Sequence, residues 1–268
     1  MLKTETLNAR VYGGSISGVR RARSTLGSEA DITVIRSRRE DGDPLAGSSW
    51  SRPDTVAGFA RSAPNDALLR FAADEMRAGS KQLLDIGCGA GRNIVPLARL
   101  GWNAIGIDLS LPMIAAAATR VRDDRLDTHL RLALARMHEL PFAGRSFDFI
   151  IAHGIWNLAR SGNEFRLALA EAARVARPRS ALFVFTFSRN TLPPDAQPVP
   201  TESFVFTQFS GQPQCFLTEK QLVTELGAVG FSPDPSMPIR ELNLPQPGTL
   251  YSSGAPVIYE GSFRCAGG

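Results

Sequence analysis

The sequence predicts an α/β fold in which a doubly wound, mostly parallel seven-stranded sheet is covered by helices on both faces, behind a flexible N-terminal arm. Three observations carry this. Short apolar runs alternate with segments of helical period from residue 64 to residue 187. A glycine-rich turn, Gly87-Cys88-Gly89-Ala90-Gly91, joins the first such run to a helix. The formal net charge of +4 is concentrated at the start: residues 1–40 hold eight Lys/Arg and four acids, and the other 228 residues balance 22 basic against 22 acidic side chains.

The elements follow in order. Asn65 is a helix cap, Gly79 the stop, and Leu68, Leu69, Ala72 and Met76 mark the buried face between them. Gln82 to Ile86 is a buried strand. The helix over 92–100 contains Pro96, so it begins late or kinks. A strand at 103–108 leads to a helix at 111–121, capped by Ser110 with Pro112 in its first turn. Strands at 129–135 and 147–152 follow, then a helix at 163–177 with Phe165, Leu169, Ala172 and Ala176 on one face, then the apolar strand 181–187. Beyond residue 188 lie 11 of the 18 prolines. Residues 189–217, with Phe204, Phe206, Phe209 and Phe216, form an insertion that reads as a substrate lid. Thr218 and Gln221 make a capping box that opens a helix to about residue 229, and strands at 237–243 and 256–264 close the sheet. The expected division is an arm over 1–48 and one domain over 49–268.

With 43% hydrophobic and 21% charged residues, the composition is that of a soluble globular chain, and no uncharged apolar run approaches the ~20 residues of a membrane span. Cys88, Cys215 and Cys265 lie far apart without CxxC spacing, and three histidines are few, so neither a disulfide framework nor a metal site is expected. A cytoplasmic home follows. The basic arm reads as a solvated tail; contact with nucleic acid or a transit role is the alternative.

The turn after residue 86 carries the chemistry. A strand that feeds a glycine turn and then a helix presents backbone N–H groups to a ligand. The dinucleotide spacing G-x-G-x-x-G would need glycine at Arg92; the spacing here is G-x-G-x-G, preceded by an acid, Asp85. That acid would repel a pyrophosphate and accept from an ammonium group. Asp108, at the end of the next strand, stands where doubly wound folds hydrogen-bond ribose hydroxyls. An amino-acid moiety joined to a ribose points to S-adenosylmethionine as cofactor.

Asp85-Ile-Gly-Cys-Gly-Ala-Gly91 resembles motif I of class I methyltransferases that use S-adenosylmethionine (SAM), and Gly106-Ile-Asp108-Leu-Ser resembles their second motif. Leu140-Pro141-Phe142 with Ser146-Phe147-Asp148 resembles the turn into their fourth strand, and Arg174-Val-Ala-Arg-Pro178 the segment before their fifth. Gly91-Arg92-Asn93 is similar to the tellurite-resistance type within the small-molecule branch. The resemblance covers about residues 64–264. It implies the Rossmann-like methyltransferase fold, and cofactor contacts at Asp85, Gly87, Gly89, Gly91, Asp108 and Leu109. The family often has an Asp for the adenine amine where this chain has Arg136, so adenine recognition is assigned to backbone near Met137.

The end of the fourth strand faces the transferred methyl in this family, and here it reads Ala152-His153-Gly154-Ile155-Trp156-Asn157. His153 is the candidate base or orienting group. Trp156 and Asn157 are candidates to stack on or hydrogen-bond the acceptor, and Phe206 and Phe209 to line an apolar pocket under the lid, with Trp50, Val56 and Phe59 covering it from the other side. Neither an Asp/Asn/Ser-Pro-Pro-aromatic sequence nor a Pro-Cys pair follows this strand, which argues against nucleic acid as acceptor. The expected activity is methyl transfer to a small molecule. The alternatives are a catalytically idle SAM-binding or scaffold protein and an RNA methyltransferase that uses the basic arm.

Overall fold

The computed structural model describes residues 43–244 and 255–267, with the backbone of a two-rung ladder between Arg10–Val11 and Gly14–Ser15. Otherwise the expected arm up to residue 42 lies outside the described residues.

Five parallel strands form the sheet's spine: β1 (Gln82–Ile86), β2 (Asn103–Asp108), β3 (Leu130–Leu134), β4 (Phe147–His153) and β5 (Ala176–Phe187). The insertion holds a short antiparallel pair, β6 (Val205–Phe206) with β7 (Gln214–Cys215). β8 (Phe231–Pro233), β9 (Arg240–Leu242) and β10 (Ile258–Cys265) finish the main sheet, whose order is β8-β10-β5-β4-β1-β2-β3 with β9 also on β10. β10 runs antiparallel to β5, and β8 and β9 run antiparallel to β10.

Strand residues alternate between two cores because successive side chains point to opposite faces. Leu83, Phe149, Ile151 and Phe183 pack under α2 (Asp66–Arg77), α3 (Ile94–Arg99) and α4 (Leu111–Asp123). Leu84, Ile150, Leu182 and Val184 pack under α5 (Gly162–Val175) and α6 (Glu219–Ala228). The caps are where the sequence places them: Asn65 Oδ1 accepts from Leu68 N at 2.9 Å, Ser110 Oγ from Met113 N at 3.3 Å, and Thr218 with Gln221 forms the reciprocal box. Pro96 sits in the first turn of α3, where its missing N–H lacks a helical partner in any case, so the helix starts at Ile94.

Three features differ from expectation. The closing strand predicted at 237–243 is the shorter β9, and a further strand, β8, lies on the same edge of β10 where none is predicted; the two pieces give the sheet eight strands rather than seven. Pro235 and Pro238 cannot donate to the ladder, and the chain bulges between the pieces against Gly261. Helix α1 (Pro53–Arg61) stands where no helix is predicted, and none of its residues is fully buried. β5 begins at Ala176, five residues early, because Pro178 forces its predecessor into extended backbone and ends α5.

Entry into β5 is irregular. Its register against β4 slips between Phe147 and Phe149, and Arg179 takes φ 65°, a left-handed conformation unfavourable for a residue with a Cβ. Arg179→Gly should therefore stabilise the fold by about 1 kcal/mol and raise Tm by about 2–4 °C in a thermal melt. A lower Tm would show that the Arg179 side chain contributes more than its backbone costs.

Candidate functional site

Strand order reverses between β1 and β4, because the chain crosses from β1 to β2 on one side and reaches β4 on the other. The carboxyl ends of these strands open a crevice at that switch point. The glycine turn leaves β1 into it, Asp108 ends β2 and His153 ends β4. At Gly87 (φ 74°) a Cβ would lie 2.7 Å from the Ile155 side chain, and at Gly91 (φ 81°) 2.8 Å from Val95 Cγ2, so both positions need glycine twice over. Gly89 is open: a Cβ there would meet only Phe59 and Met113, at ordinary contact distances.

The turn is tied inward. Gly87 N and Cys88 N both donate to Ile107 O at 2.8 Å, Gly91 N donates to Cys88 O at 3.0 Å, and Gly89 N donates to Asp108 Oδ2 at 2.9 Å. These four N–H groups are therefore engaged within the chain, contrary to the expectation that the turn offers them to a ligand.

Asp85 is 2% exposed, and its carboxylate accepts no hydrogen bond from the described residues. Burial pushes its pKa up to about 8; the nearby Arg92 charge opposes this and Asp108 adds to it. Asp108 accepts from Ser110 N at 2.8 Å through Oδ1 and also from Leu109 N–H, yet burial still holds its carboxyl above the usual range. Two acids thus stand close together in one crevice, Asp85 without a hydrogen-bond donor and Asp108 held by three backbone N–H groups. Met137, half-buried, follows β3, whose end is fixed to β2 by Ala135 N donating to Asp108 O at 3.0 Å. Over this corner lies the segment before α1. Ser51 Oγ donates to Asp43 Oδ2 at 2.7 Å, Leu111 N to Asp43 Oδ1 at 3.3 Å, and Ser110 Oγ to Trp50 O at 3.1 Å.

His153 sits on the same side. Its ring stacks on Phe185, with centroids 4.1 Å apart and planes 11° from parallel. Arg92 Nη2 lies 3.0 Å from Nδ1, and Asn65 Nδ2 lies 3.3 Å from Nε2. Asn65 Nδ2 also donates to Glu260 Oε2 at 2.6 Å. Burial and then the Arg92 charge push the imidazole pKa down to about 3, so the ring is neutral in ordinary buffers.

The structure therefore brings together Asp85, Gly87, Gly89, Gly91, Asp108, Leu109 and His153. Trp156 (1% exposed) and Asn157 (2% exposed) are buried instead in the turn after β4, where Trp156 packs edge-on against Phe165 of α5. Phe206 is buried with Leu192 and Phe216 in a satellite core, under the Arg189 guanidinium. Phe209 is 44% exposed and leans on Phe187, two residues beyond the Phe185 that backs His153. Arg92, Asn65 and Glu260 join the site unannounced. Asn65 had a sufficient role as a helix cap, and Glu260 lies in a late strand that only the sheet register sets beside Phe185.

Residues 84–184 match the family model described as a methyltransferase domain. The chain carries a methyltransferase domain. The chain is 32% identical over 139 residues to the ubiquinone/menaquinone biosynthesis C-methyltransferase UbiE of Dinoroseobacter shibae, covering 51% of this chain and 53% of that protein. It is 35% identical over 159 residues to a demethylmenaquinone methyltransferase of Renibacterium salmoninarum, covering 53% of this chain and 63% of that one. The chain thus spans between half and two-thirds of the length of these relatives. Its fold is shared with a SAM-dependent methyltransferase from Methanosarcina mazei at TM-score 0.58 and 20% identity, over 76% of this chain and all of the other. Among the described residues of the methyltransferase domain, no helix is long and apolar enough to cross a membrane.

Proposed function

We propose that the methyltransferase domain moves a methyl group from SAM to a small-molecule acceptor in the cytoplasm, and that nucleic acid is not its substrate. Asp85 carries the reading. An acid with a pKa near 8 and no partner, at the floor of a glycine turn, suits a ligand that brings an ammonium group. Asp108, one strand away and anchored by Ser110 N and Gly89 N, suits the hydroxyls of a ribose. The residues present therefore fit SAM.

When bound, the sulfonium supplies an electrophilic methyl group. The chain does the rest. Asp85 holds the ammonium, Asp108 orients the ribose, Gly87 and Gly91 serve cofactor binding by letting the turn fit against Ile155 and Val95, Gly89 leaves room for close approach, and Leu109 and Met137 flank the adenine. The relatives are named for C-methylation and quinone biosynthesis, so a planar oxygen or carbon acceptor is the class we favour. Phe185, Phe187 and Phe209 offer it an aromatic wall.

Asp108→Ala should weaken SAM binding by ~1.5–3 kcal/mol in calorimetry, the size of a lost charge-assisted hydrogen bond. Unchanged affinity, or binding of a nicotinamide dinucleotide by the wild type, would overturn the assignment.

His153 serves in this reading as a neutral orienting group. A protonated ring would face two donors, Arg92 and Asn65, with no acceptor for its second N–H. The expected pH profile of kcat is therefore flat between about pH 6 and 8, with no step near the ordinary histidine value. A step near 6.5 in the wild type that vanishes in His153→Gln would restore the imidazole as general base.

A further inference from the structure

We propose that Arg92 is an oxyanion-binding residue, whose guanidinium takes a carboxylate in the crevice between the glycine turn and the end of β4. The proposal rests on the reading above in one respect: it expects a ligand in this crevice.

Four observations converge. Arg92 is partly buried, and burial lowers its pKa despite the opposing Asp85 charge. It forms no ion pair with the described residues; its side-chain contact is the neutral ring of His153, at 3.0 Å from Nδ1. A half-buried guanidinium without a counter-ion is a costly arrangement unless a ligand supplies the anion. The turn's own N–H groups at Gly87, Cys88, Gly89 and Gly91 are already engaged, so they do not serve an anion here. Asn65 Nδ2 approaches the same imidazole at Nε2 but is already engaged with Glu260 Oε2 at 2.6 Å, so of these two side chains the Arg92 guanidinium is the donor left for an anion.

The carboxylate has two possible sources: the amino-acid end of the cofactor, next to the ammonium that Asp85 would hold, or an acidic group on a planar acceptor lying along Phe185. Two arms distinguish them. In the first, S-adenosylhomocysteine and methylthioadenosine, which lacks the amino-acid end, are titrated into wild type and Arg92→Gln. In the second, benzoate and its neutral isostere benzamide are compared by ligand-observed NMR, with and without S-adenosylhomocysteine.

If the anion is the cofactor's, Arg92→Gln should weaken S-adenosylhomocysteine about tenfold or more and leave methylthioadenosine unchanged. If it is the acceptor's, wild type should prefer benzoate to benzamide by about tenfold, Arg92→Gln should lose that preference, and Arg92→Lys should keep part of it as a point charge. No change in either arm, including failure of both benzoate and benzamide to bind, overturns the proposal. Failure of both adenosine ligands on the wild type would instead count against the cofactor reading, and the benzoate arm would still decide on Arg92. Melting curves for the Gln and Lys variants separate misfolding from lost recognition.

Discussion

Calorimetry of the ligand-free domain with SAM should show close to one proton released per site at pH 7, and an affinity that climbs about tenfold per pH unit until about pH 8. The cause is Asp85. Its carboxyl is buried without a partner, so it keeps its proton to about pH 8, well above the 3.8 of a free aspartate. An arriving ammonium favours the charged form, so binding must expel the proton. Below pH 8 each unit of acidity makes that expulsion harder by ~1.4 kcal/mol. Near pH 8 the rise stops, because Asp85 is already ionised and amino groups of the α type begin to lose their own protons at about that value.

The same shift fixes the sign of the stability change. Between about pH 4 and 8 the native domain binds more protons at Asp85 than the unfolded chain does, so this residue's contribution to stability falls as pH rises through that window. The melting temperature of the ligand-free domain should drop across it, and saturating SAM should flatten the drop. Asp85→Asn should remove both effects. Equal heats in two buffers of different ionisation enthalpy, with affinity independent of pH, would show that Asp85 is not the ammonium partner.

Removing Arg264 should produce the largest loss of stability. Its guanidinium on β10 reaches across to two nearly inaccessible acids, Glu75 of α2 and Asp234 in the break between β8 and β9. Arg264 Nη1 donates to Glu75 Oε2 at 2.9 Å and Nε to Asp234 Oδ2 at 2.6 Å, and the group also lies over Phe71. Arg264→Ala leaves both carboxylates buried without this counter-charge, with Ser236 still donating to Asp234 and Ser80 to Glu75. A loss of about 3 kcal/mol follows, or roughly 10 °C in Tm for a domain of this size. Neutralising the acids with Glu75→Gln and Asp234→Asn in the same background should recover most of it. A shift of under ~2 °C for Arg264→Ala would mean that water already serves these groups.

Much of the fold was readable from local signals. Asn65, Ser110, Thr218 and Gln221 announce their helices because a cap needs only residues within a few positions, and the structure keeps all of them. The apolar runs of β1, β2, β4 and β5 are readable because strands covered on both faces need no alternation. The break at Pro235 and Pro238 is written in the sequence, since neither proline can donate to a ladder, while the three-residue β8 before it is too short to leave a periodic signal. Helix α1 has Pro53 in its first turn and Val56, Phe59 and Ala60 at helical spacing, a pattern that reads as pocket cover when only its apolar residues are weighed.

What the sequence determined alone was the chemistry of the crevice floor: a strand, an acid, a glycine turn and a second acid are a contiguous pattern whose geometry follows from the chain's own connectivity. What only the tertiary structure decided was the company those residues keep. Asn65, Arg92, His153 and Glu260 are separated by up to 195 positions and meet because sheet register sets His153, Phe185 and Glu260 on one row, with a helix cap and the glycine turn beside it. Burial decides whether Asp85 is charged, whether His153 is basic, and whether Trp156 and Phe206 reach a ligand or fill a core. Burial is set by all the elements packing together, so no short stretch of sequence encodes it.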